Sequence, residues 1–425
     1  MKNYRITNVS AIEIFNGIWE PTIKVNIHVD DIKGSSIAPT GQSTGKDEAK
    51  ELRDGGSRYG GKGCQKAVSA ACDELKNCLI GMDVRDQKKI DEAMKKLDGT
   101  ANLSRIGANV TSAASCAVSV AAAATCGVPV YQYIEPTAHV LPVPMIDVIS
   151  GSHYSFGASS EIQEFSILPV DADSFSEAMQ ISRELYEVLR NNIAESYGTL
   201  GQCVDAAGSF ALPIKSCRGT LDFLMQALEQ SGMADRFVLG MDCAASGWFD
   251  TAKQVYYFEG EERTREEMLT YYKELVRDYP IATLEDPFDE NDIEGFIRAT
   301  KDLGIQIVGD DFFVTNPKIM RRKMQDGAAN CLLWKYNQVG TLTDAFEAAE
   351  MARKADYGIM PSERSGESED PILADLMVGL NAGQCKSGIP VRSENTAKYN
   401  RLLEIEKELA GEAEYLGRSV LKGSR

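Results

Sequence analysis

The sequence predicts an α/β protein in two parts: an N-terminal α+β cap over residues 1–135 and an eight-stranded α/β barrel over residues 140–425. From Phe237 onward a buried-type strand, a polar loop and an amphipathic helix recur in one direction. Such units predict a parallel sheet, and eight of them close into a barrel. Ahead of Pro136 and Pro142 the order differs, with strands first and helices after them, which sets the junction near 136–141. The third observation is chemical. The apolar runs Gly-Met-Asp242, Thr-Leu-Glu285, Ile-Val-Gly-Asp310 and Cys-Leu-Leu-Trp-Lys335 end at steps of 43, 25 and 25 residues. A step of 25 is the length of one strand plus one helix, so the four side chains fall at neighbouring strand ends. In barrels of this kind the C-terminal strand ends carry the catalytic groups.

In the cap, alternating apolar residues predict strands over 6–15 and 22–29, then a Gly/Ser/Thr-rich loop over 34–46. Helical periodicity covers 47–53, 62–80, 86–96 and 108–126. The last of these is almost wholly Ala, Ser, Val and Cys, a composition that lets a helix approach its neighbour closely. In the barrel, strands are expected at 143–149 and 164–170. Helices are expected at 174–198, 218–231, 264–277, 291–302, 316–326, 342–355 and 370–381.

Composition excludes several classes. Hydrophobic residues make up 43% and charged residues 25% of the chain, values of an ordinary globular protein. A net charge of -18 argues against nucleic acid and against anionic membranes as partners. The ten cysteines form no Cys-x-x-Cys pair, which excludes the usual zinc and iron–sulfur frameworks and suits buried reduced thiols. No apolar run reaches membrane-spanning length. The Met-Lys-Asn-Tyr-Arg-Ile start alternates like a strand rather than a signal peptide. The expectation is a cytoplasmic protein.

Three carboxylates converging from Asp242, Glu285 and Asp310 need a cation, and an all-oxygen donor set suits Mg2+. Lys335 follows a buried run, and a lysine near a metal and other cations has its pKa lowered enough to serve as a base. The series continues with Glu363-Arg364-Ser365, 28 residues after Lys335, and with Lys386, 23 residues further on. Arg364, Ser365 and Lys386 form a candidate clamp for a phosphate or carboxylate. Gln163, Glu164 and His153 stand near the start of the barrel, and Ser43 lies in the loop Gly41-Gln-Ser-Thr-Gly45.

At these residues the chain resembles the enolase family over nearly its full length. The shared runs include Glu51-Leu-Arg-Asp-Gly, Ile106-Gly-Ala-Asn, Gln163-Glu-Phe, Gly240-Met-Asp, Glu285-Asp-Pro-Phe-Asp, Val308-Gly-Asp-Asp, Asn337-Gln, Arg364-Ser-Gly-Glu and Ala397-Lys-Tyr-Asn-Arg-Leu-Leu. The resemblance implies an α+β cap on an enolase-type, TIM-like barrel. It further implies a Mg2+-dependent carbon–oxygen lyase of glycolysis that turns 2-phosphoglycerate into phosphoenolpyruvate. A lysine or histidine base paired with one or two Mg2+ ions is a known property of that superfamily. By resemblance Asp242, Glu285 and Asp310 bind the first ion, and Ser43 ligates a second that arrives with substrate. Lys335 removes the α-proton, while Lys386, Arg364, Ser365, Gln163, Glu164 and His153 hold or assist the substrate. A homodimer is implied as well.

The departures concern the other half of the reaction. The family's general acid is a glutamate in Gly-Asp-Glu-Gly-Gly-Phe, and here Asp205-Ala-Ala207-Gly-Ser-Phe210 puts Ala207 at its place. Asp205 lies two residues away. The family's Ser-His-Arg-Ser reads Ser-Glu363-Arg-Ser, so a carboxyl replaces a histidine in a chain with three histidines in all. The segment between His153 and Glu164 is two residues longer than the family's. Gly17-Ile-Trp-Glu-Pro-Thr22 replaces a motif associated with the dimer contact, and Asp47 takes an aromatic or histidine position in the lid. General acid catalysis is worth roughly 10²- to 10⁴-fold, so three readings stay open. Glu363 has taken over the proton; or the same enolisation serves a different phosphorylated or phosphonylated carboxylate; or the chain is a catalytically impaired paralogue acting as a binding or surface protein.

Overall fold

The computed structural model describes residues 3–42, 44–151, 160–205 and 207–423. The cap begins with a three-stranded antiparallel sheet, Asn8–Phe15, Pro21–Val29 and Ile32–Ile37 in spatial order. The third strand occupies residues assigned to a loop in the sequence reading, because Gly34 and two serines hide its alternation. Gly34 is there for packing. A Cβ on it would lie 2.3 Å from both the Ala117 carbonyl oxygen and the Ala121 nitrogen. The sheet therefore rests directly on the backbone of the helix Ala108–Cys126, whose inward residues Val110, Ala113, Ala114, Ala117, Val118 and Ala121 share one core with Ile23, Val25 and Ile27. This 19-residue helix is long and apolar enough to cross a membrane by length and composition, contrary to the sequence expectation. It is the buried core helix of the cap, as its small side chains predict.

Residues 47–53 are not helical. They run as an extended segment across the start of that core helix, with Leu52 N–H donating to Asn109 Oδ1 (2.9 Å) and Asn109 Nδ2 donating back to the Leu52 carbonyl (3.2 Å). The amide side chain supplies both ladder partners, which a helix would have supplied internally.

The barrel strands are Val143–Ser150, Glu164–Pro169, Phe237–Asp242, Ile281–Glu285, Gln306–Gly309, Cys331–Trp334, Gly358–Pro361 and Gln384–Lys386. The eighth pairs in parallel with the first, and bridges Ile359–Gly383 and Ser362–Lys386 join the seventh to the eighth, closing the ring. One expectation fails. The second strand is antiparallel to both neighbours. The reversal has a functional consequence, because the start of an antiparallel strand lies level with the ends of its neighbours. Glu164 sits opposite Asp242 on one side and Ser150 on the other.

The lumen holds Val143, Met145, Leu168, Val308, Leu333 and Met360. Gln306 and Gln384 exchange amide hydrogen bonds there at 2.9 and 3.1 Å. A larger core lies between the strands and the outer helices. The cap docks on the barrel through buried polar contacts. Asp91 accepts from Thr343 N–H (3.0 Å) and from Ser115 Oγ (2.8 Å), and Asp370 accepts from Ser36 Oγ (2.7 Å) and Ile37 N–H (2.8 Å). All ten cysteines are free thiols.

Gly34→Ala is expected to destabilise the protein by about 1–3 kcal/mol, the usual penalty for overpacking where the obstructing atoms are backbone. Urea unfolding followed by circular dichroism checks this, and an unchanged midpoint would show that the helix can move away.

Candidate active site

The strand ends bring acid and amine together as the spacing predicts. Lys386 Nζ lies 2.8 Å from Glu164 Oε2, 2.9 Å from Asp242 Oδ2 and 2.8 Å from Glu285 Oε2. Lys335 Nζ lies 2.5 Å from Asp310 Oδ2, whose other oxygen accepts from Gln338 Nε2 at 2.9 Å. Gln163 Nε2 donates to Asp242 Oδ2 at 3.0 Å. These groups are buried, so the network is governed by charge balance in a poorly screened setting. Burial opposes the charge of Lys386, but the three surrounding carboxylates hold its pKa well above the ordinary lysine value. Glu164 is pushed up to about 8, first by burial and then by the nearby Asp147 carboxylate.

Lys335 departs from expectation. Its pKa is raised rather than lowered, because Asp310, with Glu285, outweighs the burial that works against the charge. In this state it is an ammonium. Asp242, Glu285 and Asp310 share one mouth but are divided between two lysines, Lys386 and Lys335, and among the described residues these three do not form a ready metal-holding group. The Lys386 ammonium stands where three carboxylate oxygens meet, which makes it a cation stand-in within an all-oxygen donor set.

Arg364 is buried against the cap. Its guanidinium takes Glu48 in a two-point grip, Nη1 to Oε2 at 2.9 Å and Nη2 to Oε1 at 3.1 Å, and donates to Asn337 Oδ1 at 3.1 Å. Ser365 Oγ accepts from Gln42 N–H at 2.7 Å, while Thr40 and Gly366 exchange backbone hydrogen bonds at 3.0 and 2.8 Å. The loop that carries the predicted lid is thus stitched to the seventh strand's exit. Ser43 and His153, both singled out by the sequence, lie outside the described residues.

A small cavity of about 50 Å3 is bounded by Glu164, Ala207, Lys335, Glu363, Ser365 and Lys386 among others. Ala207 and Glu363 therefore face the same space. Glu363 Oε2 is buried without a hydrogen-bond partner among the described residues. Burial pushes its carboxyl well above the usual carboxylate range, and Asp147 and Glu367 push it further. Asp205 is placed differently. One oxygen accepts from the N–H groups of Ala207, Gly208 and Ser209 at 2.8, 2.8 and 3.0 Å, and the other accepts from Ser150 Oγ. It organises the loop and does not line the cavity.

Sequence reasoning missed Glu48 and Asp147. Glu48 was read as part of a helix, and nothing local marks a partner 316 residues away. Asp147 did carry a signal: a carboxylate inside the otherwise apolar strand Val143–Ser150, now buried and hydrogen-bonded by Ser166 Oγ at 2.6 Å. A buried charge within an apolar run is more informative than any apolar residue there.

A cap seated on the C-terminal mouth of a barrel, with carboxylates and lysines at successive strand ends, defines a two-domain barrel lyase. Comparison with known proteins gives the family. Residues 6–134 match the enolase N-terminal domain and residues 138–424 the enolase C-terminal TIM barrel domain, so the chain belongs to the enolase family of carbon–oxygen lyases. It is 48% identical to the enolase of Thermococcus kodakarensis, over 98% of this chain and 97% of the relative. It is 46% identical to that of Methanocaldococcus jannaschii, over 98% of each chain. Identity to the Pyrococcus furiosus enolase is 47%, over 99% of this chain and 98% of the relative.

Glu48→Ala leaves the Arg364 guanidinium buried without its two-point partner, and breaking such a pair costs about 3–5 kcal/mol. Thermal unfolding should show a fall of several degrees, and a shift of less than one degree would mean that water or Asn337 replaces the carboxylate without penalty.

Proposed function

We propose that the protein is a Mg2+-dependent phosphopyruvate hydratase, dehydrating 2-phosphoglycerate to phosphoenolpyruvate, with Glu363 as the general acid in place of the family's glutamate. The observation that carries this reading is the shared cavity: the missing acid's position, Ala207, lines it together with Glu363 and Lys335. The residues fit the metal. Asp242 and Glu285, gathered with Glu164 about the Lys386 ammonium, and Asp310 beside Lys335 give oxygen donors that suit a hard divalent cation, and these three acids would hold it. When bound, Mg2+ would supply positive charge against the substrate carboxylate as negative charge builds there on enolisation.

This chain's own groups do the rest. Lys335 Nζ takes the α-proton once Asp310 no longer fixes it as an ammonium. Arg364 and Ser365 bind the phosphate, and the cap loop bonded to Ser365 excludes water. Lys386 and Gln163, both hydrogen-bonded to Asp242, orient the substrate carboxylate. Glu164 lies beside Lys386 and assists on the leaving-group side. Glu363, kept neutral by burial and by neighbouring carboxylates, gives its proton to the departing hydroxide.

A proton donor must carry its proton. Since its folded pKa is raised, Glu363 keeps its proton to a higher pH than an ordinary carboxyl and loses it as pH climbs through that raised value. The rate of dehydration should therefore fall on the alkaline side. Glu363→Gln should lower kcat for phosphoenolpyruvate formation by roughly 10²- to 10⁴-fold while leaving α-proton exchange of 2-phosphoglycerate in D2O intact. Undiminished turnover in that variant would end the assignment. Chelation with EDTA should abolish both exchange and elimination, and added Mg2+ should restore them in the wild type but not in Asp310→Asn. Exchange that survives chelation would contradict the metal role.

A further inference from the structure

The turn that follows the fifth barrel strand is strained. Val314 and Thr315 stand at φ of +44° and +51°, a left-handed region in which β-branched residues are outliers and glycine is at ease. Such strain persists only where the surroundings hold it from several sides. Asp286 accepts from the N–H groups of Asp310 (3.0 Å) and Asp311 (2.8 Å). Val314 N–H donates to the Asp310 carbonyl at 2.7 Å, and Asn316 N–H donates to the Phe313 carbonyl at 2.9 Å. Asn316 then caps the helix Pro317–Lys323 by accepting from Lys318 N–H at 3.0 Å. Val314 packs beneath the cap, where a Cβ on Gly45 would come within 2.6 Å of it.

Thr315 has a chemical use as well. It is fully buried, and its hydroxyl stands between two parts of the candidate active site. The oxygen accepts from Lys335 N–H at 2.9 Å. The single hydroxyl proton goes to Gln338 Oε1 at 2.7 Å, a closer acceptor than the Leu333 carbonyl at 3.3 Å. With Oε1 engaged in this way, the buried Gln338 amide turns Nε2 to Asp310 Oδ1 at 2.9 Å. Asp310 Oδ2 in turn meets Lys335 Nζ at 2.5 Å. The bonds form a ring that begins at the Lys335 backbone and ends at the Lys335 amine. Glycine at 315 would satisfy the backbone without strain, but it would take the hydroxyl away from a buried N–H and a buried amide oxygen, each costly to leave unpaired.

We infer that Thr315 is a positioning residue for proton abstraction: its hydroxyl, fixed on a strained turn, sets Lys335 and Asp310 in place relative to each other. The inference rests on the reading of Lys335 as the base. Thr315 itself touches neither substrate nor metal in that reading and acts through the two residues that do.

The test is α-proton exchange of 2-phosphoglycerate in D2O, followed by NMR on the full protein at saturating Mg2+. Thr315→Val keeps the β-branched shape and removes the hydroxyl. It should lower kcat for exchange by more than about five-fold while KM stays within about two-fold, the pattern of a group needed in the transition state and not for binding. Thr315→Ser keeps the hydroxyl and should retain at least about half of the wild-type rate. Circular dichroism establishes that each variant is folded, and Thr315→Ala takes the place of the valine variant if that one is not. A smaller fall in the valine variant, a KM outside that range, or a serine variant below half the wild-type rate overturns the inference. Absence of exchange in the wild type overturns the assignment of Lys335 as base, and this inference with it. Exchange in the wild type that survives loss of the hydroxyl overturns this inference alone.

Discussion

The barrel mouth is governed by one constraint: several carboxylates buried together must be neutralised. Three of them, Glu164, Asp242 and Glu285, reach a single ammonium on Lys386, and a fourth, Asp310, holds Lys335. An isolated carboxylate in such a setting would be protonated or would destabilise the fold. Two lysines and four acids are still unbalanced, and the excess appears as the raised pKa of Glu164 and Glu285. The site thus has an electrostatic demand for a further cation, met in part by lysines that would be needed elsewhere once a metal arrived. The same demand explains why Lys335 is an ammonium here: the carboxylate that a metal would engage is the one that holds its proton.

The reversed second strand makes this constraint possible. Were it parallel, residue 164 would begin at the far end of the barrel and the mouth would lose one of its acids. Reversal places Glu164 level with Asp242 and sets Gln163 against the same carboxylate. The cap then closes over the assembly. Glu48 reaches from the cap to Arg364, so the cation proposed to bind phosphate is already held in position by a cap carboxylate. Positioning a guanidinium in this way lowers the entropy lost on binding an anion.

Much of this was legible from residue order. The strands from Phe237 onward were readable because their apolar runs are fully buried and their spacing is one strand plus one helix. Those strand ends had to carry the chemistry, which is why Asp242, Glu285, Asp310 and Lys335 could be named together. The small-residue helix 108–126 was readable to the residue because, apart from Asn109, it holds only Ala, Ser, Val, Thr and Cys, which allow close packing. What could not be read were pairings between distant segments. A strand's alternation does not state its direction. Glu48 resembles any acidic loop residue until Arg364 is set opposite it. The direction of the Lys335 shift depends on whether its partner acid is free or engaged, which sequence does not encode.

The leaving-group side shows how a site changes while its core is kept. Ala207 stands where the resemblance puts a glutamate, and Glu363 lines the same cavity. The exchange is not neutral in geometry. Asn395 Nδ2 donates to the Ala207 carbonyl and the Asp205 carboxylate accepts from three loop N–H groups, so that side is fixed by side chains gripping its backbone. Glu363 instead sits on the exit of the seventh strand, its N–H bonded to the Lys386 carbonyl at 3.0 Å. A proton donor anchored to a barrel strand is more rigidly placed than one on a loop. Asp147 and Glu367 add like charge near it, which favours the neutral carboxyl that a donor needs. On the proposed reading, the acid absent at Ala207 and the one present at Glu363 belong to one electrostatic arrangement, in which the neighbouring carboxylates favour a neutral Glu363.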